Sequence, residues 1–139
     1  MTLTLLLATN NPHKVEEFRS IFLPYPVILQ TPADLGLVND VDESGNTYFE
    51  NARLKAQAYW QEGQNMVLAD DSGLEVKALE GAPGIHSHRF LPDPNATSRD
   101  RCLYLLEHLK SSPRPWRAAF HCEVVLLTRQ GTIFTSHGV

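Results

Sequence analysis

The chain has 139 residues, 42% hydrophobic and 20% charged, with a net charge of -4. That is enough for one folded domain with a real core. The mild acidity gives no basic face for a nucleic acid, and no apolar stretch is long enough to span a bilayer.

Taken in chain order, residues 3–9 form an apolar run that predicts a first buried strand. Asn10-Asn-Pro-His-Lys14 follows at once, so the run reads as a strand and not as a signal peptide. Asn11 is a good N-cap and Pro12 fits the first helical position. Val15, Phe18 and Phe22 then recur at helical spacing, and Pro24 and Pro26 end that helix. Val27 to Gln30 predicts a short strand, and residues 31–46 a polar loop. Thr47 and Glu50 make a capping-box pattern. Phe49, Ala52, Ala56 and Tyr59 give the next helix its apolar stripe, with Gly63 as its stop.

Met66 to Asp70 predicts a strand that ends at an Asp-Ser-Gly turn, with a looser strand over 74–79. Gly81 to Gly84 reads as a turn and 85–97 as irregular. Thr97 and Asp100 offer a second capping box. Cys102, Leu105, Leu106 and Leu109 predict an amphipathic helix. Ala118 to Thr128 predicts a long strand with Phe120, Cys122, Val124 and Leu126 on one face. Gln130-Gly131 marks a hairpin turn, and Ile133 begins the partner strand. Neither cysteine lies in a CxxC pair, so both read as small core residues in a reducing compartment, the cytoplasm.

Three groups of residues carry possible chemistry. Asp70 and Asp71 are adjacent carboxylates that follow an apolar run. Burying them together is costly unless a cation or a proton intervenes. Mg2+ is the ordinary choice, since it is held by one or two carboxylates and touches substrate phosphates. Thr9-Asn-Asn-Pro-His-Lys14 joins a strand to a helix start, where backbone N–H groups and Lys14 favour an anion. Glu43 sits in a loop where it can meet a metal, and Lys55 lies one helical turn from Asn51, within reach of a phosphate. Each group also has a plain reading: a strand-ending turn, a capped helix and a solvated helix face.

Together these pieces resemble the inosine/xanthosine triphosphate pyrophosphatase family, the house-cleaning purine NTP pyrophosphatases. The residues that carry the resemblance are Thr9-Asn-Asn-Pro-His-Lys14, Glu43-Ser-Gly45, Thr47-Tyr-Phe-Glu-Asn51 with Lys55, Ala69-Asp-Asp-Ser-Gly-Leu74, Gly81-Ala-Pro-Gly-Ile85 and Phe120-His-Cys122, in this order. The resemblance implies an α/β fold, with a long mixed β-sheet flanked by helices and two lobes around a central cleft.

The implied activity is Mg2+-dependent hydrolysis of a non-standard purine nucleoside triphosphate (ITP, dITP or XTP) to the monophosphate and pyrophosphate. It casts Asp71 and Asp70 as catalytic, and Glu43 and Asp71 as metal ligands. Thr9, Asn10, Asn11, Lys14, Asn51, Lys55 and Ser72 become substrate contacts, and Arg89 falls at a frequently basic position. A homodimer is implied as well. The family's purine-gripping segment is not present in residues 1–139, so the expectation is a single pyrophosphatase domain without its C-terminal part. Two other readings stay open: a septum-formation-like nucleotide pyrophosphatase, and an inactive nucleotide-binding fragment.

Overall fold

A computed structural model describes residues 1–61 and 63–139. Five strands form one sheet in the order β2-β1-β3-β4-β5: β1 is Leu3–Leu7, β2 Val27–Gln30, β3 Val67–Val76, β4 Ala118–Leu127 and β5 Ile133–Gly138. Three α-helices accompany it: α1 (Pro12–Phe22), α2 (Tyr48–Tyr59) and α3 (Ser98–Leu109). β1 runs parallel to both β2 and β3. β4 and β5 are joined by a tight turn at Gln130-Gly131, where Gly131 takes φ +82, so the sheet is mixed. This is the α/β architecture expected from the sequence.

The chain divides into two compact units, 1–71 with 123–136, and 72–122 with 137–139. In the first, Leu6 and Ala8 of the β1 segment, Val67 and Ala69 of β3, Ala52, Ala56 and Tyr59 of α2, and Val125 and Leu127 of β4 form the buried core. The small residues Ala52 and Ala56 let α2 approach the sheet closely. Burying Leu6 or Leu127 contributes roughly 1.5–3 kcal/mol each. Trp60 packs on this core and donates its indole N–H to the carbonyl of Thr128.

In the second unit, Phe90, Tyr104 and His108 make ring contacts, and Val76 and Leu109 are buried. Among the described residues no helix is long and apolar enough to cross a membrane.

Local capping chemistry places the helices as expected. The Asn11 side chain accepts from the His13 N–H and Pro12 opens α1. Thr47 accepts from the Glu50 N–H, but the Glu50 carboxylate accepts from the Asn46 N–H, one residue upstream of a standard capping box. At α3 the box is complete between Thr97 and Asp100. Thr97→Ala should therefore cost about 1 kcal/mol, read as a melting temperature lower by a few degrees. An unchanged melt would mean that α3 does not depend on its cap.

Several expectations are corrected. β3 does not stop at Asp70: it runs unbroken through Asp70-Asp71-Ser72-Gly73 to Val76. The local turn preference of Asp-Ser-Gly is overridden by pairing within the sheet. β1 ends at Leu7, two residues earlier than the apolar run suggests. α2 closes at Trp60, whose φ of -78 and ψ of 138 leave the helix, so Gly63 is not its stop.

The buried side of β4 carries Val125 and Leu127, while Phe120 is 60% exposed. β4 is apolar on both faces, so alternation alone could not choose the face. On α3 the covered stripe is Arg101, Leu105 and Leu109 with Tyr104, whereas Cys102 and Leu106 are exposed. Cys102 is thus a surface thiol, and its expected place in the core is wrong.

Candidate active site

Successive side chains of a strand point to opposite faces, so β3 delivers its two adjacent carboxylates to different partners. Asp70 meets Lys14 of α1, with Nζ 2.7 Å from Oδ2. Asp71 lies on the face that carries Val67 and Ala69 and meets α2. Asn51 Nδ2 donates to its Oδ2 at 3.2 Å, and Lys55 Nζ stands 3.6 Å from its Oδ1. The same ammonium lies 3.3 Å from Oε1 of Glu43. Both carboxylates of the pair are buried. Their mutual repulsion is offset by separate counter-ions.

Burial raises the Asp71 carboxyl above its ordinary value. Lys55 and the Asn51 hydrogen bond pull it down, Glu43 pushes it up, and Lys14 lowers it. Asp70 keeps one buried oxygen, Oδ1, with no hydrogen-bond partner. Buried ion pairs add little to stability because desolvation consumes the Coulombic gain. Here the Lys14–Asp70 and Lys55–Asp71 pairs stand beside a carboxylate oxygen left unsatisfied.

The turn at Thr9 is partly closed on itself. Thr9 Oγ1 accepts from the Asn11 N–H at 3.1 Å, and Asn11 Oδ1 accepts from the His13 N–H at 3.0 Å. Pro12 supplies no donor, so the row of free amides expected there is shorter than the motif suggests. Asn10 is exposed beside it. Lys14, reaching from this turn to Asp70, brings the phosphate-loop motif and the acidic pair together. Ser72 follows Asp71 in β3, half-buried, as the first residue of the second unit. Arg89 ends a 3-10 segment over Gly84–Arg89 in that unit.

The donors around Lys55 are hard oxygens, which suits a hard cation. Among the described residues no three His, Cys, Asp or Glu side chains group closely enough to hold a metal ion. The unsatisfied Asp70 oxygen and the convergence of Glu43 and Asp71 on one ammonium are consistent with a cation in this neighbourhood. Sequence reasoning named each of these charged residues. It named Gly45 only within the Glu43-Ser-Gly45 motif and missed its contact: the Gly45 N–H donates to Asn51 Oδ1 at 2.8 Å. The available signal was a glycine two residues after Glu43.

Fold and site together define an α/β protein with a mixed sheet and a partly buried centre of two lysines and three carboxylates. The chain belongs to the Ham1 family, whose model matches residues 5–139. It is 40% identical over 126 residues to a protein of Thermoanaerobacter pseudethanolicus named dITP/XTP pyrophosphatase, covering 91% of this chain and 63% of that one. It is 38% identical over 135 residues to a protein of the same name from Desulforamulus reducens, covering 96% and 67%.

Among solved structures, a HAM1 protein from Coxiella burnetii superposes with a TM-score of 0.81 at 34% identity, covering 99% of this chain and 70% of that one. The Staphylococcus aureus Ham1 protein gives 0.80 at 33% identity, covering 97% and 68%. The family suggested by the motifs is thus the family matched. The chain spans 63% of the length of the Thermoanaerobacter relative.

Proposed function

We propose that this chain hydrolyses nucleoside triphosphates to the monophosphate and pyrophosphate, with non-standard purine nucleotides (ITP, dITP, XTP) as substrates and Mg2+ as cofactor. Water attacks the α-phosphorus, the bond from that phosphorus to the α–β bridging oxygen breaks, and pyrophosphate leaves. The observation that carries the reading is the single Lys55 ammonium shared by Glu43 and Asp71, with Lys14 held nearby on Asp70. The names of the relatives supply the nucleotide class.

In this reading Glu43 and Asp71 are the residues that would hold the metal, which would supply charge neutralisation and a lowered water pKa. Asp71 accepts the attacking water's proton at its carboxylate. Its burial makes it a better base than an ordinary aspartate. Lys14 and Lys55 move from their carboxylate partners toward the phosphate oxygens and neutralise the leaving group. Phosphoryl transfer asks chiefly for such positioning and charge balance. Thr9, Asn10, Asn11 and Ser72 are substrate contacts in this reading. A cytoplasmic homodimer belongs to the same reading.

The test is pyrophosphate release from a panel of ITP, dITP, XTP, ATP, GTP, CTP and UTP, with Mg2+ and with EDTA. Inosine and xanthosine nucleotides should be cleaved fastest, and EDTA should abolish release. Nucleotide binding by calorimetry with no release from any triphosphate would overturn the reading in favour of a binding protein. Lys55→Met should lower kcat/KM about 100-fold, the scale for removing a charged group that stabilises the transition state. An unchanged kcat/KM would remove Lys55 from the chemistry.

A further inference from the structure

We propose that Asn51 is a positioning residue that ties the loop carrying Glu43 to the Asp71 carboxylate, so that both carboxylates address one point. Asn51 is 1% exposed, so its side chain is sealed from solvent. Its amide is used at both ends: Oδ1 accepts from the Gly45 N–H at 2.8 Å, and Nδ2 donates to Asp71 Oδ2 at 3.2 Å. The orientation is unique. A flipped amide would set NH2 against N–H and oxygen against carboxylate.

The fit at Gly45 is close. A Cβ there would lie 2.7 Å from Asn51 Oδ1 and 2.7 Å from Glu50 Cβ. Gly45 is two residues from Glu43, and Asn51 is one helical turn from Lys55. One face of α2 therefore sets the loop, the carboxylate and the ammonium that Glu43 and Asp71 share. By occupying Asp71 Oδ2, Asn51 leaves Oδ1 as the oxygen turned to Lys55. Asn51 thus acts through Asp71 and the loop. The purpose of the tie rests on the pyrophosphatase reading. The tie itself does not.

The test compares the wild-type chain with Asn51→Ala, Gly45→Ala and the double variant. Two readouts do not depend on turnover: Mn2+ affinity by calorimetry, and hydrogen exchange of the Gly45 amide by NMR. Each single variant should weaken Mn2+ binding about tenfold, as loss of a partner behind a ligand does, and should speed Gly45 exchange about tenfold or more. The double variant should be no worse than the poorer single, because both break one link.

Gly45→Ala keeps the Asn51 and Asp71 side chains and breaks the tie by displacing the Asn51 amide, so it carries the test should Asn51→Ala fail to fold. Wild-type Mn2+ affinity in either folded variant, with only the melting temperature lowered, would make Asn51 a packing residue and overturn the assignment. A wild-type chain that binds no Mn2+ but loses Gly45 protection in Asn51→Ala would sink the metal reading and keep the tie. Persistent Gly45 protection in Asn51→Ala would sink the tie, even where wild-type pyrophosphate release upholds the proposed function.

Discussion

Replacing Asp71 by asparagine is expected to slow pyrophosphate release by about a thousandfold or more, the scale for losing a group that acts in the transition state, while the metal-free chain melts at a higher temperature. The two effects have one cause. Asp71 is buried, and burial raises its carboxyl above the ordinary value of 3.8. A group whose folded pKa lies above its unfolded value penalises folding once both states are ionised. That penalty is fully present above the raised folded pKa and fades as pH falls toward and below 3.8. Asparagine carries no such charge and keeps an oxygen for Asn51 Nδ2. The stability gain of Asp71→Asn should therefore be present at neutral pH and vanish in acid, as followed by thermal melts across pH in EDTA. A variant less stable than wild type at neutral pH would mean that the Lys55 and Asn51 contacts outweigh desolvation. Undiminished turnover would remove Asp71 from catalysis.

Gly73→Ala should be among the most disruptive single substitutions in the second unit. A Cβ at Gly73 would lie 2.1 Å from the carbonyl oxygen of Gly84 and 2.8 Å from its carbon, both backbone atoms. That carbonyl cannot simply swing away. It accepts from Ser87 Oγ at 2.6 Å, and Ser87 Oγ in turn accepts from the Leu74 N–H at 2.9 Å. Accommodating one methyl means separating β3 from the 84–89 segment and breaking this chain of bonds. A loss of about 3 kcal/mol or more is expected, the upper range for overpacking. Ser87→Ala, which leaves the Leu74 N–H without its acceptor and the Gly84 carbonyl without its donor, should cost about 1–3 kcal/mol. Urea midpoints measure both. Equal midpoints for Gly73→Ala and wild type would show that the two segments can part freely.

The helix starts were legible because capping is local: Asn11, Thr47 and Thr97 each satisfy a backbone N–H within three residues. The course of β3 was not. Asp-Ser-Gly prefers a turn when considered alone, and only the neighbouring strands hold it extended. The buried face of β4 was hidden because Val124 and Val125 are equally apolar. The charged members of the site could be named from motif and composition. Their pairing could not, since Lys14 and Asp70 are separated by 56 positions and nothing local says which lysine answers which aspartate. The role of Gly45 within its motif was hidden for a related reason: it lies in what the missing side chain leaves room for.

The charge count of the centre has a consequence for the order of events. In the ion pairs made by Lys14 and Lys55, two ammonium groups face three carboxylates. In the proposed reading, a doubly charged ion added to these carboxylates makes the centre more attractive to an incoming polyanion. Nucleotide affinity should thus rise and fall with free divalent ion, and weaken as inert salt screens the field.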